Sequence, residues 1–152
     1  MQAQRILIVD DEASLRTALF RALERRNFQV ITASSKKEAE ELCQSEKPID
    51  LALVDLRLPD GDGIQLMTHL RSFHKQIQTI ILTGFGSIEA AVEATQKGAF
   101  HFMSKPFNLD EIMSLIERAL SHSQLEKENS QLRTALSNKY NFDHIVGHSD
   151  GI

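Results

Sequence analysis

Leu51-Ala52-Leu53-Val54-Asp55-Leu56-Arg57-Leu58-Pro59-Asp60-Gly61-Asp62-Gly63 is the stretch that decides the fold. Leu51–Val54 is an unbroken apolar run, the pattern of a strand buried on both faces. The run closes on an acid, Asp55, and a two-faced helical pattern follows over Ile64–Arg71. A buried strand, a polar end and a covering helix form the repeating unit of a parallel sheet.

The same unit recurs outward from this stretch. Ile6–Val9, Gln29–Ala33, Thr79–Leu82 and Phe100–Met103 are short apolar runs, which with Leu51–Val54 predict five buried strands. Helical patterns lie between them. Leu15, Ala18, Leu19, Ala22 and Leu23 share one face, while Arg16, Arg21, Arg25 and Arg26 lie elsewhere. Lys36–Gln44 and Ile88–Lys97 are two-faced in the same way. Alternating strands and helices imply right-handed crossovers and a doubly wound α/β domain. Five strands in such a domain commonly take the flavodoxin-like order 2-1-3-4-5, with ligands at the carboxyl ends of the strands.

Composition agrees with a folded domain. Hydrophobic residues make up 41% and charged residues 25% of the 152, the balance of a soluble globular chain. With 17 basic and 21 acidic side chains the formal charge is −4, so no overall positive field draws nucleic acid, and direct nucleic acid binding is not expected. Cys43 is the only cysteine, which excludes an internal disulfide. With Ala39 and Leu42 it falls on a helix face, as a half-buried packing residue without a redox role. The apolar run Ile6–Val9 near the N-terminus is too short for a signal segment or a membrane span, so a cytoplasmic protein with no membrane contact is expected.

After Asn108 one helical stretch runs from Leu109 to about Ser137 without proline or glycine. Roughly thirty residues make a helix of about 45 Å. Ile112, Ile116, Ala119 and Leu120 can cover the sheet. Beyond Ser121 only a seam of Leu125, Asn129, Leu132 and Leu136 remains, matching the a and d positions of a two-stranded coiled coil. Asn129 falls at an a position, where a polar residue fixes register and the dimeric state. The two stripes do not share a phase, so a shift near Ser121–Gln124 is expected.

The strand assignments bring three acids to one edge of the sheet: Asp10 and Asp11 after the first strand, Asp55 ending the third. Such a cluster repels itself unless a cation sits inside it, and a hard cation such as magnesium fits oxygen ligands. Thr83 ends the fourth strand ahead of Gly84, so its hydroxyl is expected to emerge with little obstruction. Lys105 ends the fifth strand, where an ammonium can neutralise phosphoryl charge. Pro106 restricts it to non-helical geometry, and the bond between them can be cis or trans. A carboxylate nucleophile, a metal, a hydroxyl and a lysine together form a phosphoryl-transfer site with an aspartyl phosphate as product.

Val9-Asp10-Asp11-Glu12, Val54 through Gly63, Leu82-Thr83-Gly84 and Met103-Ser104-Lys105-Pro106-Phe107 resemble, in order and spacing, the receiver domain of two-component response regulators. The likeness covers about residues 4–121. It implies that Asp55 is the phospho-acceptor, served by a sensor histidine kinase. Asp11 would be a direct magnesium ligand, Asp10 a ligand through water and the Arg57 carbonyl a backbone ligand, with Asp55 in the same metal set. It also implies a cis Lys105–Pro106 bond and a switch that couples Thr83 to Phe102. Phosphorylation would draw Thr83 inward and Phe102 would turn to fill the space. A haloacid-dehalogenase-type phosphatase needs a second aspartate two residues after the nucleophile, and Arg57 stands there. No turnover enzyme is therefore expected, only self-phosphorylation and self-dephosphorylation.

Tyr140 through Ser149, with its Phe…Ile-Val-Gly-x-Ser phrase, resembles the entry to the ATPase domain of NtrC-like activators of sigma-54-dependent transcription. No phosphate-loop motif follows. The expected organisation is a receiver over 1–121, a coiled-coil linker helix over 122–138 that forms a homodimer, and over 139–152 the flexible start of an ATPase domain. A stand-alone receiver that acts by docking is the other reading. Arg57 and Phe85, each two residues past a site residue, are expected to shield the aspartyl phosphate from water.

Overall fold

A computed structural model describes residues 4–44, 47–84, 88–122 and 125 of the chain. Five parallel strands, β1 (Arg5–Val9), β2 (Gln29–Ala33), β3 (Leu51–Asp55), β6 (Gln78–Thr83) and β7 (His101–Ser104), form one sheet in the order β2-β1-β3-β6-β7. Numbered among these five alone, that is the predicted 2-1-3-4-5. The remaining two strands, β4 (Arg57–Leu58) and β5 (Gly61–Asp62), make a short antiparallel ribbon beside the main sheet. The sequence patterns gave no sign of it, because two residues per strand are too few for any periodicity.

Alternation along the strands builds two cores. Leu7, Val9, Ala52, Val54 and Ile81 face α2 (Lys36–Cys43), α3 (Gly63–Phe73) and α4 (Ile88–Gln96). Ile6, Ile8, Leu51, Leu53, Ile80 and Leu82 face α1 (Ala13–Glu24) and a fifth helix, α5, over 109–122. Each leucine or isoleucine fully withdrawn from water in these layers contributes roughly 1.5–3 kcal/mol. Leu19 and Leu23 anchor α1 as expected, but Ala18 is exposed. Its methyl group lies at the margin of the buried stripe.

Two expectations about the strands need correction. β2 and β7 are edge strands and only partly buried, since each has one neighbour and a helix layer that tapers away. β7 also begins and ends one residue later than the apolar run suggests. α4 ends at Gln96, and the turn that follows it passes through Gly98, whose φ of 103° favours glycine. The Ala99 N–H then closes on the Ala94 carbonyl, and Phe100 is spent on entering the sheet, its N–H on the Thr79 carbonyl at 2.7 Å. The ladder proper pairs Ile80 with His101 and continues to Thr83 with Ser104.

Cys43 is fully rather than half buried, at 1% exposure. Burial pushes its thiol up to about 11, with Glu40 adding to the effect and Arg5 opposing it. Among the described residues no helix is long and apolar enough to cross a membrane.

Candidate functional site

Parallel strands deliver their carboxyl ends to one edge. Val9 pairs with Val54, Asp55 with Leu82, and Thr83 with Ser104. Asp10 follows β1, Asp55 closes β3, Thr83 closes β6 and Lys105 follows β7. The carboxylate oxygens of Asp10, Asp11 and Asp55 come within 4.8 Å of one another. The predicted acid cluster is therefore assembled, with Asp10 and Asp55 buried and Asp11 exposed.

Asp10 is held on every side. Its N–H meets the Ala33 carbonyl at 3.1 Å. Its Oδ1 accepts from the Glu12 N–H at 2.9 Å, its Oδ2 from Lys105 Nζ at 2.7 Å, and its main-chain oxygen from Arg16 Nη1 at 2.6 Å. Asp11, by contrast, takes no hydrogen bond from another described residue. Asp55 Oδ1 accepts from the Arg57 N–H and its Oδ2 from Lys105 Nζ, both at 3.3 Å.

Burial raises the Asp55 carboxyl above its usual range, and the neighbouring Asp10 charge adds to this; Lys105 and the Arg57 N–H only partly oppose it. For Lys105 burial disfavours the ammonium, but the hydrogen bond to Asp10 and the charges of Asp10 and Asp55 outweigh it, so its pKa is raised. The two shifts pull the Asp55–Lys105 pair in opposite senses, and the distances explain why: the short contact of Lys105 is to Asp10. Asp55 is left as the undercompensated acid.

Gly63 makes the loop after Asp55 possible. A Cβ there would lie 2.2 Å from the Asp55 carbonyl oxygen, so no side chain fits. Its N–H donates to the Leu56 carbonyl at 2.7 Å, and Asp62 caps α3 by accepting from the Ile64 N–H at 2.6 Å. These contacts fold the chain sharply after Asp55 and set Arg57 on the exposed ribbon.

Thr83 is where the site departs from expectation. It is fully buried, and its hydroxyl does not emerge unobstructed. Ser104 pairs with Thr83, and the Lys105 N–H reaches the Thr83 carbonyl at 2.7 Å, so β7 flanks its main chain as well. The Lys105–Pro106 bond is cis, as the family resemblance implies. Phe102 is half-buried against the α3–α4 core and pairs with Ile81, two residues before Thr83. Glu12 stands at the N-cap of α1 without a side-chain cap.

Arg16 escaped the sequence reading, which only set it apart from the apolar face of the first helix. A signal existed. A cation in the first turn of a helix opposes the dipole, and an acid pair immediately upstream supplies the compensation. Of the coiled-coil seam, Leu125 is 56% exposed, whereas Asn129, Leu132 and Leu136 lie outside the described residues, as does Phe85.

Comparison with known proteins agrees with this geometry. Residues 6–117 match the family described as "Response regulator receiver domain". The regulatory protein AtoC of Escherichia coli K12 is 37% identical over 95% of the chain, which spans 31% of that relative. The DNA-binding transcriptional regulator NtrC of the same organism is 38% identical over 84% of the chain and 27% of its own length. Among solved structures, the beryllofluoride-activated NtrC4 receiver domain dimer is 32% identical with a TM-score of 0.72, covering 78% of this chain and 98% of that one.

Proposed function

The chain belongs to the response regulator receiver domain family, and from that premise we propose that it is a phosphorylation-dependent switch in which Asp55 accepts a phosphoryl group from a sensor histidine kinase. One observation carries this reading: three carboxylates and the Lys105 ammonium, from the ends of the three parallel strands β1, β3 and β7, converge at one edge of the sheet.

An oxygen of the Asp55 carboxylate attacks phosphorus while the bond from phosphorus to the donor breaks. On a phosphohistidine donor that is the P–N bond, and its electron pair returns to the imidazole. An ionised carboxylate needs no general base for this attack. Lys105 neutralises charge on the transferred group, and Thr83 supplies a hydroxyl beside it once the group is in place. The Arg57 N–H steadies the second Asp55 oxygen.

The acid set fits magnesium. Three carboxylates against one ammonium leave two negative charges, which a divalent cation balances. Asp11, exposed and without a donor among the described residues, suits a direct ligand; Asp10, whose oxygens already accept from Glu12 and Lys105, suits a ligand through water. Asp55 and the Arg57 carbonyl complete the protein's share. When bound, magnesium supplies charge neutralisation for the phosphoryl oxygens.

The output is a rearranged homodimer. Residues 1–121 would form the receiver, 122–138 a coiled-coil linker helix built on Leu125, Asn129, Leu132 and Leu136, and 139–152 the start of an ATPase domain in a longer sigma-54-activating protein. Support comes from NtrC and AtoC, of which this chain spans about a third or less, and from the dimer of the NtrC4 receiver. The Thr83–Phe102 coupling would transmit the change to the surface around α4 and β7. Such a domain regulates and does not turn over a substrate.

Label taken up from acetyl phosphate is expected to be released by neutral hydroxylamine, as acyl phosphates are; stable label would mean another residue is modified. Sedimentation velocity before and after that treatment tests the switch. A change of assembly state is expected, and a monomer in both states at high concentration would remove the dimer.

A further inference from the structure

The turn of the β4–β5 ribbon is fastened to a helix that the acceptor chemistry does not otherwise use. Asp60 lies in that turn, and its carboxylate takes two backbone N–H groups at the start of α2. Oδ1 accepts from Lys36 at 2.8 Å and Oδ2 from Lys37 at 2.9 Å. The first amides of a helix have no partner within it, and the positive end favours an anion. These two bonds hold the Asp60 carboxyl below the usual carboxylate range.

α2 does not depend on Asp60 to begin. Ser35 is its N-cap, accepting from the Glu38 N–H at 3.2 Å. What Asp60 adds is a tie across 24 residues of chain, from helix to ribbon. The stem of Lys36 lies over the same turn, where a Cβ added at Gly61 would meet its Cδ at 2.8 Å.

The ribbon needs such a tie. Each of its strands is two residues long, far short of a self-supporting pair. Asp62 and Gly63 fasten the end that enters α3. Leu58 anchors the ribbon to the core, and the Asp60 and Lys36 contacts tie the turn to α2. Arg57 occupies the opposite strand, paired with Asp62, and its N–H returns to Asp55.

We propose that Asp60 is a positioning residue for the cation site: by tying the turn to α2 it keeps the Arg57 carbonyl where a divalent cation can use it. This rests on the phospho-acceptor reading above, in which that carbonyl is a ligand. Asp60 itself touches neither the cation nor the phosphoryl group.

Calorimetric titration of magnesium into the unphosphorylated full chain tests it. Asp60→Ala is expected to weaken binding by roughly tenfold, the lower end of what outer-shell partners of a metal site contribute. Asp60→Asn, which keeps one acceptor oxygen, is expected to fall between that variant and wild type. Ser35→Ala removes the helix's own cap but leaves the ribbon tie; it should lower the Tm and leave magnesium affinity unchanged. Wild-type affinity in Asp60→Ala, or an equal loss in Ser35→Ala, overturns the proposal while leaving Asp55 as acceptor untouched. Absence of magnesium binding in wild type would instead strike the cation site itself, and with it the premise.

Discussion

Lys105 serves Asp10 before it serves Asp55: its Nζ lies 2.7 Å from Asp10 Oδ2 and 3.3 Å from Asp55 Oδ2. Asp55 is therefore the less compensated member of a buried pair of acids, a ground state that an incoming cation would relieve.

Removing the Asp55 charge should stabilise the cation-free protein. Asp55→Asn keeps the shape and both neighbours while ending the repulsion with Asp10. Its Tm in the presence of a chelator is expected to exceed that of wild type, and magnesium is expected to narrow the gap. A lower Tm in the chelated variant would contradict the reading of Asp55 as an undercompensated charge.

Replacing Lys105 by Gln removes the ammonium that both acids share. Phosphorylation by acetyl phosphate at saturating magnesium is expected to slow about a hundredfold, the scale on which one charge-stabilising donor acts in a transition state. Rate measurements that match wild type would reduce Lys105 to a structural counter-ion.

Magnesium should raise the Tm of wild type by mass action, since binding favours only the folded chain. Asp11→Asn is expected to abolish most of that gain without destabilising the chelated protein, because Asp11 is exposed, takes no hydrogen bond from another described residue and belongs to a cluster of like charges. A full magnesium-dependent gain in the variant would move the direct ligand elsewhere.

Gly63→Ala places a methyl group against the Asp55 carbonyl, 2.2 Å away, and the backbone must give. The cost is expected to be about 3 kcal/mol, at the upper end of overpacking effects. Chemical denaturation measures it.

Cys43 gives a prediction at alkaline pH. Its thiol titrates at about 11 in the folded chain against 9.0 ordinarily, so the unfolded chain loses that proton first. Stability contributed by the buried neutral thiol is present below pH 9.0 and is lost as pH rises towards about 11. The loss is on the order of 2–3 kcal/mol. Cys43→Ala should start less stable, from the lost packing, and show a flatter decline over that window.

Much of this was legible from residues alone, for a physical reason. Runs such as Leu51–Val54 are apolar throughout because both faces of a central parallel strand are covered, and once those strands are placed their ends meet. Asp10, Asp11, Asp55 and Lys105 follow from that placement. The burial of Thr83 did not, because the exposure of a side chain at a strand end depends on tertiary packing that a strand pattern does not record. Arg16 and Asp60 were missed because each acts on a backbone group, Asp10 O in one case and the α2 amides in the other, and backbone partners leave no mark in side-chain patterns.

Intact mass after exposure to acetyl phosphate and magnesium tests the central claim most directly. Wild type is expected to gain one phosphoryl group, dependent on magnesium, and Asp55→Asn none. No gain in wild type, or an undiminished gain in Asp55→Asn, would contradict the account.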